Sequence, residues 1–202
     1  MLSDINLFPT ENLKRLSSEG DVQFLLARLR KQAPNVYRHS LRVAGLYEML
    51  WLDVEVPWET RERMLRSVLL HDTGYIHMSK NEPKEPHPHH TLIGAELLSA
   101  MIDEGKVDKE IILYHHENMD GTGFLGVNWR KLSPYVRTLR IVDDFDLWTK
   151  GMYNKSSVTA AMEELYLWSG VLLDEHWLER FNRMMNAIVS NAPSQLEKLS
   201  RL

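Results

Sequence analysis

The segment "LLHDTGYIHM", from Leu69, sets a histidine beside an aspartate, His71-Asp72, directly after an apolar run. An ionised aspartate at the inner end of an apolar helix is costly to bury unless it is paired or coordinates a cation. Alone, Asp72 also reads as the cap of a turn at Thr73-Gly74. Similar intrusions recur. His39 shares the helical stripe of Val36, Val43, Leu46, Tyr47 and Leu50, where a lone histidine is more often a satisfied core residue than a ligand. His115-His116 follow "IILY", and Asp143, Asp144 and Asp146 interrupt "LRIVDDFDLW". Several such residues, all of types that ligate hard or borderline metals, favour a shared cation site. Adjacent His-Asp and His-His pairs point in different directions, so they serve either two ions or one ion and its surroundings. Two neighbouring ions would activate a water and clamp the attacking and leaving oxygens of a phosphoester displacement.

These residues need helices to hold them. Apolar positions recur at three and four rather than two, and no alternating strand is evident, so the expectation is an all-α chain. "GDVQFLLARLRKQAP" reads as a helix capped by Asp21, and a second runs from about Asn35 to Trp51. "PWETRERMLRSVLLHD" opens with Pro57 at its first position and delivers His71-Asp72 at its end. A proline-rich loop follows. "HTLIGAELLSAMIDEG" and "VDKEIILYHHE" read as helices with Gly105 as a stop and Asp108 as a cap. "NMDGTGFLGVNW" is a glycine-rich loop, Ser133-Pro134 open another helix, and helices over about Ser157–Ser169 and Asp174–Val189 complete the pattern. Trp148, Trp168, Trp177, Met184 and Met185 read as core.

The totals bound the function. With 202 residues, 44% hydrophobic and 26% charged, the chain fits one compact unit. Its net charge of -4 offers no basic field for long nucleic acid and no patch for a membrane surface. It has no cysteine, which excludes disulfides, thiolate zinc sites and cysteine nucleophiles. "MLSDINLFPT" lacks the features of a signal peptide and no apolar run is long enough to span a bilayer, so the expected address is the cytoplasm.

The same residues, in order, resemble the HD domain superfamily of metal-dependent phosphohydrolases, and within it the HD-GYP phosphodiesterases. His39, His71-Asp72 and Asp143 match the minimal H…HD…D signature. "HDTGY" stands where that family has HDxGK, "HTLIG" (His90 to Gly94) resembles HxxxG, and "HHENMDGTGFL" is similar to HHExxDGxGYP through His115, His116, Glu117, Asp120, Gly121 and Gly123. "SPYVR" resembles IPxxAR, Asp143 to Asp146 resemble DxFD, Tyr153 falls near PYR, and "LDEHWLERF" resembles FDPxxVxxF. The minimal pattern alone is weak, whereas the ordered series is specific. The likeness runs from about residue 35 to 185.

The resemblance implies an HD-domain helical bundle over residues 35–190, with an N-terminal helical extension at 1–34 and a tail at 191–202. It implies two divalent ions, iron or manganese before zinc, nickel or magnesium, held by His39, His71, Asp72, His90, His115, His116 and Asp143. Asp72 and Tyr75 would stand at the reacting centre, and Tyr75, Lys80, Gly123 and Phe124 against substrate. The implied chemistry is hydrolysis of cyclic di-GMP or a related cyclic dinucleotide by a metal-bound hydroxide, with a small-molecule nucleotide as the partner and a homodimer compatible with the apolar residues of 1–34.

Three departures qualify it. Tyr75 replaces a family lysine; it can donate a hydrogen bond but brings no charge, and losing such a donor costs on the order of 3 kcal/mol, roughly a hundredfold in rate. Lys80 or Lys84 would be the substitute. Phe124-Leu125 replaces Tyr-Pro, and Asn35 stands where some members carry a glutamate ligand, which favours two ions over three. His89 competes with His90, Asp144 with Asp143, and His77, His87 and His176 read as peripheral. Glu117 reads as a loop anchor or a group behind the ligands, Asp120 as a turn former, and Asp146 as orienting a neighbour. The rival readings are an HD phosphohydrolase for another nucleotide or phosphoester, and a metal-containing binding or signalling module.

Overall fold

The computed structural model describes residues 10–78 and 89–201. Among the described residues every regular element is helical, and the extended contacts amount to one isolated bridge between Ser169 and Leu173. The chain is all-α, as its periodicity implies. The helices are α1 (Glu11–Ser18), α2 (Gly20–Gln32), α3 (Pro34–Leu50), α4 (Trp58–Leu70), α5 (His89–Leu97), α6 (Ser99–Asp103), α7 (Lys109–Tyr114), α8 (Pro134–Thr149), α9 (Lys155–Leu167), α10 (Glu175–Asn191) and α11 (Pro193–Ser200).

Local chemistry explains most boundaries. The Ser133 side chain accepts from the Val136 amide with Pro134 at the first position of α8, and Asp108 caps α7 through the amides of Glu110 and Ile111. Asp174 caps α10, and Asn154 forms a reciprocal capping box with Ser157 at the start of α9. Three expectations need correction. Asp21 lies inside the first turn of α2, where its charge faces the helix N-terminus, while Glu19 holds the cap position without a side-chain bond. Pro57 is the cap of α4, not its first residue. The single helix expected from His90 to about Glu104 breaks at Leu98 into α5 and α6.

α3 runs through the middle of the bundle and packs against α2, α4, α8 and α10. Its stripe of Val43, Leu46, Tyr47 and Leu50 is buried, in one apolar core with Leu13 and Leu16 of α1, Leu26 and Leu29 of α2, and Leu196 and Leu199 of α11. The helices on either side of the functional segment thus close over the same core. Removing one such leucine side chain costs about 2–5 kcal/mol. Trp148 and Trp168 depart from the core expectation: each lies on the outward face at the end of its helix and is about half exposed. Trp177 does stack on Trp51, with ring centroids 4.6 Å apart, and Met185 is buried.

One glycine sets the closest backbone approach among the described residues. After α4, Thr73–Ile76 form a single 3-10 turn that packs on α5. A Cβ on Gly74 would lie 1.9 Å from the His90 carbonyl oxygen, so only glycine lets the turn seat against α5. Gly94, one turn along α5, meets the Gly74 amide from the other side. The close approach of Gly74 to the His90 backbone docks the helix that carries His90 onto the turn that follows His71-Asp72.

Candidate metal centre

Five segments converge on one buried cluster. His39 comes from the inner face of α3, His71 and Asp72 from the end of α4, His90 from the first turn of α5, His115 and His116 from the end of α7, and Asp143 from the inner face of α8. All seven side chains are buried. The residues named from the sequence as ligands are therefore brought together without exception. The structure also separates each from its competitor: His90 is buried in the cluster while His89 is exposed, and Asp143 faces His39 while Asp144 pairs with Arg140 at 2.8 Å.

Asp72 stands at the centre with its two oxygens turned to different partners. Oδ2 lies 3.4 Å from His71 Nε2 and 3.8 Å from His39 Nε2. Oδ1 lies 3.3 Å from His90 Nε2 and 3.6 Å from His115 Nε2. Two overlapping sets of converging donor atoms result, His39 with His71 and Asp72, and Asp72 with His90, His115 and His116. Asp143 adds Oδ1 at 2.8 Å from His39 Nε2 and 3.6 Å from His71 Nε2.

The donor set fits divalent cations. His71 donates its Nδ1 proton to the Val68 carbonyl at 2.7 Å, and His115 directs Nδ1 at the carbonyls of Ile111 and Ile112, so each turns Nε2 inward. The Nε2 atoms of His90 and His115 face each other at 3.0 Å. His71 Nε2 and Asp143 Oδ2 are buried with no hydrogen-bond partner, a costly arrangement that a coordinated ion would remove. Nitrogen and oxygen donors without sulfur suit a borderline or hard divalent metal.

The charges divide unevenly. Burial opposes a proton on His39, yet hydrogen bonds to Asp143 and Asp146 outweigh it and raise its pKa well above the ordinary value. His71 is raised against burial by Asp72 and Asp143. On the other side, burial lowers His115, and burial together with the neighbouring His115 lowers His116 well below its usual range. Asp72 and Asp143, despite burial, are held well below theirs by the facing histidines. Burial lifts Asp144 to about 6, with Arg140 opposing and Asp143 adding to the rise.

Around the cluster, Asp146 accepts from His39 Nδ1 at 2.7 Å, the orienting role its spacing suggested. Glu117 is a loop anchor: its carboxylate accepts the amides of Leu125 at 2.6 Å and Val127 at 2.5 Å. A Cβ on Gly123 would come within 2.4 Å of the Glu117 backbone, so this glycine has a packing reason. Asp120 closes its turn onto the Thr122 amide. Phe124 lies against His116, with ring centroids 4.8 Å apart, and Tyr75 stacks on His90 at 4.7 Å. A cleft of about 540 Å³ opens onto His39, Asp72, His116 and Asp143, with Tyr75, Arg38, Arg42 and Lys150 also along its walls. Lys80, Lys84 and His87 fall outside the described residues. The cations Arg38, Arg42 and Lys150 were not singled out from the sequence, although Arg42 sits three residues after His39 and so shares its helical face.

Comparison with known proteins agrees with this geometry. Over 158 residues, 72% of this chain and 38% of the relative, the sequence is 27% identical to a protein of Pseudomonas aeruginosa named cyclic di-GMP phosphodiesterase PA4108. The chain thus spans well under half the length of that protein. Residues 36–148, which carry every clustered donor, match the HD domain. The chain belongs to the HD domain family, that of metal-dependent phosphohydrolases.

Proposed function

We propose that the chain is a phosphodiesterase that cleaves a cyclic dinucleotide, of the cyclic di-GMP class, at a two-ion centre. The observation that carries the reading is Asp72: one buried carboxylate whose two oxygens each face a separate group of histidines, the arrangement a bridging ligand needs. His39, His71, Asp72 and Asp143 would hold one ion, and Asp72, His90, His115 and His116 the other. When bound, such a pair supplies a water nucleophile at neutral pH and offsets the charge that develops on phosphorus. Support for the substrate class comes from the ordered HD-GYP-like motifs and from the likeness to a relative of that name.

The chain's own residues do the rest. The cleft lies in the size range of small-molecule sites, about 300–1,000 Å³. Its wall cations, Arg38, Arg42 and Lys150, equal its carboxylates, Asp72, Asp143 and Asp146, so bound metal makes it net positive and suited to a phosphodiester anion. Tyr75 offers a hydroxyl rather than a charge to a phosphate oxygen, and its ring holds His90 in place by stacking. Phe124 covers His116 in the same manner. In the reaction a water oxygen joins phosphorus and the ribose ester oxygen leaves as a hydroxyl.

The test is an anaerobic assay of protein loaded with Mn(II) or Fe(II), given cyclic di-GMP, with products resolved by chromatography. Linear pGpG or GMP is the expected product; a metal-loaded protein that forms neither would overturn the substrate assignment. The neutral Tyr75 favours a second reading, a metal-containing binding module. Tyr75→Lys separates the two. It is expected to raise turnover by roughly tenfold to a hundredfold by restoring a charged donor, and a fall would mean that the tyrosine belongs to a differently built pocket.

A further inference from the structure

We propose that Arg42 and Tyr153 are positioning residues for the ion on the His39 side, acting through Asp146, and that residue 151 is glycine because it must admit the Arg42 guanidinium. The proposal rests on the metal reading above but not on the substrate.

Two residue pairs, each three apart on packed helices, form two layers. His39 of α3 and Asp143 of α8 make the layer that faces the ion. Arg42 and Asp146, three residues further along the same helices, make the layer behind it. Asp146 is almost fully buried, and three side chains make four contacts to its carboxylate. Arg42 donates from Nε to Oδ1 and from an Nη to Oδ2, both at 2.8 Å; His39 Nδ1 contacts Oδ2 at 2.7 Å; the Tyr153 hydroxyl donates to Oδ1. A two-pronged guanidinium contact fixes the plane of the carboxylate, as a single-point contact would not. The fixed carboxylate holds the His39 proton on Nδ1 and turns Nε2 toward Asp143 and Asp72. With Asp146 free to rotate, His39 could turn its ring and withdraw that nitrogen.

The end of α8 is built for this contact. Lys150, at φ 53, is the one non-glycine among the described residues with positive φ, and Gly151 follows at φ 68. A left-handed residue other than glycine strains the backbone. The two together reverse the chain so that Tyr153 comes back to Asp146, seven positions earlier. A Cβ at Gly151 would fall 2.7 Å from the Arg42 guanidinium carbon and 2.9 Å from one of its terminal nitrogens. Lys150→Gly would relieve the backbone; Gly151→Ala would push on the guanidinium and strain the backbone at φ 68, without altering any polar group.

The alternative is that the network only ties α3 to α8. Stepwise titration of the full chain with Mn(II), counting free ion by electron paramagnetic resonance, separates the two, with circular dichroism to report the fold. Wild type is expected to hold two ions. Tyr153→Phe and Gly151→Ala are expected to hold one with unchanged affinity and the other about 10- to 100-fold more weakly. Arg42→Met should weaken the same ion, with partial recovery in Arg42→Lys. Two ions bound as in wild type by folded Tyr153→Phe and Gly151→Ala would reduce the network to a structural tie and overturn the proposal. So would equal loss of both ions. Wild type that binds no Mn(II) would remove the metal reading itself, and this inference with it.

Discussion

The two sides of Asp72 are made of similar parts and behave differently. On one side, His39 and His71 sit among carboxylates, with Asp143 touching both and Asp146 behind His39. On the other, His90 and His115 share Asp72 Oδ1 and His116 crowds against them, with the His115 and His116 ring centroids 4.3 Å apart. Negative surroundings favour a proton on His39, whereas burial beside other imidazoles disfavours one on His115 and His116. Without an ion, the first side is held together by a proton on His39, whereas burial disfavours the charged form of His115 and His116 on the second. The same residue type is thus prepared for metal in two ways: by replacing a proton, or by staying uncharged.

Asp72→Ala is the strongest way to break this comparison, because Asp72 faces two histidines on each side, whereas Asp143 reaches the second side only at His116, 3.7 Å away. Both ions are expected to leave and turnover to fall by about a thousandfold or more, whereas His71→Ala should cost mainly one ion. Elemental analysis of the folded proteins checks it: an Asp72→Ala protein that keeps its full metal content would mean that the carboxylate bridges nothing. Gly74→Ala sharpens the comparison from the backbone. The added Cβ meets the His90 carbonyl, so the turn and α5 must separate. A loss of about 3 kcal/mol or more in stability is expected, by chemical denaturation, with the ion on the histidine-rich side weakened first.

How much of this was legible depends on what each residue does locally. His39, His71-Asp72, His115-His116 and Asp143 stand out because each interrupts an apolar pattern whose period fixes its direction, so type and facing could be read together. His90 was separable from His89 only through the glycine four residues on; in the structure a Cβ at Gly94 would make only ordinary contacts, and the close approach is that of Gly74 to the His90 carbonyl. Helix order was legible from caps such as Asp108 and Ser133, but the break at Leu98 was not, since no proline or glycine marks it. Arg42, Arg38 and Lys150 escaped notice because an arginine or lysine near a helix surface is ordinary; only the fold places them along one cleft. Trp148 was misjudged for the converse reason, a large apolar residue on a face with nothing packed over it.

The difference between the two sides also fixes a pH dependence whose sign can be worked out. His39, with its folded pKa raised, stabilises the ion-free protein fully below the unfolded value near 6.5, and this contribution is lost as pH rises through the folded pKa. His115 and His116, with theirs lowered, contribute stability that is present above that value and lost as pH falls through the folded pKa. An ion on the first side must displace the His39 proton, and the raised His71 adds to the same trend, so its affinity should rise about tenfold or more per pH unit below the folded pKa of His39. An ion on the second side displaces no proton from His115 or His116, and its affinity should rise less steeply. Mn(II) titrations at pH 6.5, 7.5 and 8.5, run beside thermal melts of chelator-treated protein, read both halves at once. One affinity that climbs steeply and one that climbs less would establish that the sides differ by a proton. Two that climb in parallel would mean that the second side also carries a displaceable proton in the ion-free state, and the contrast drawn from the burial of His115 and His116 would fall.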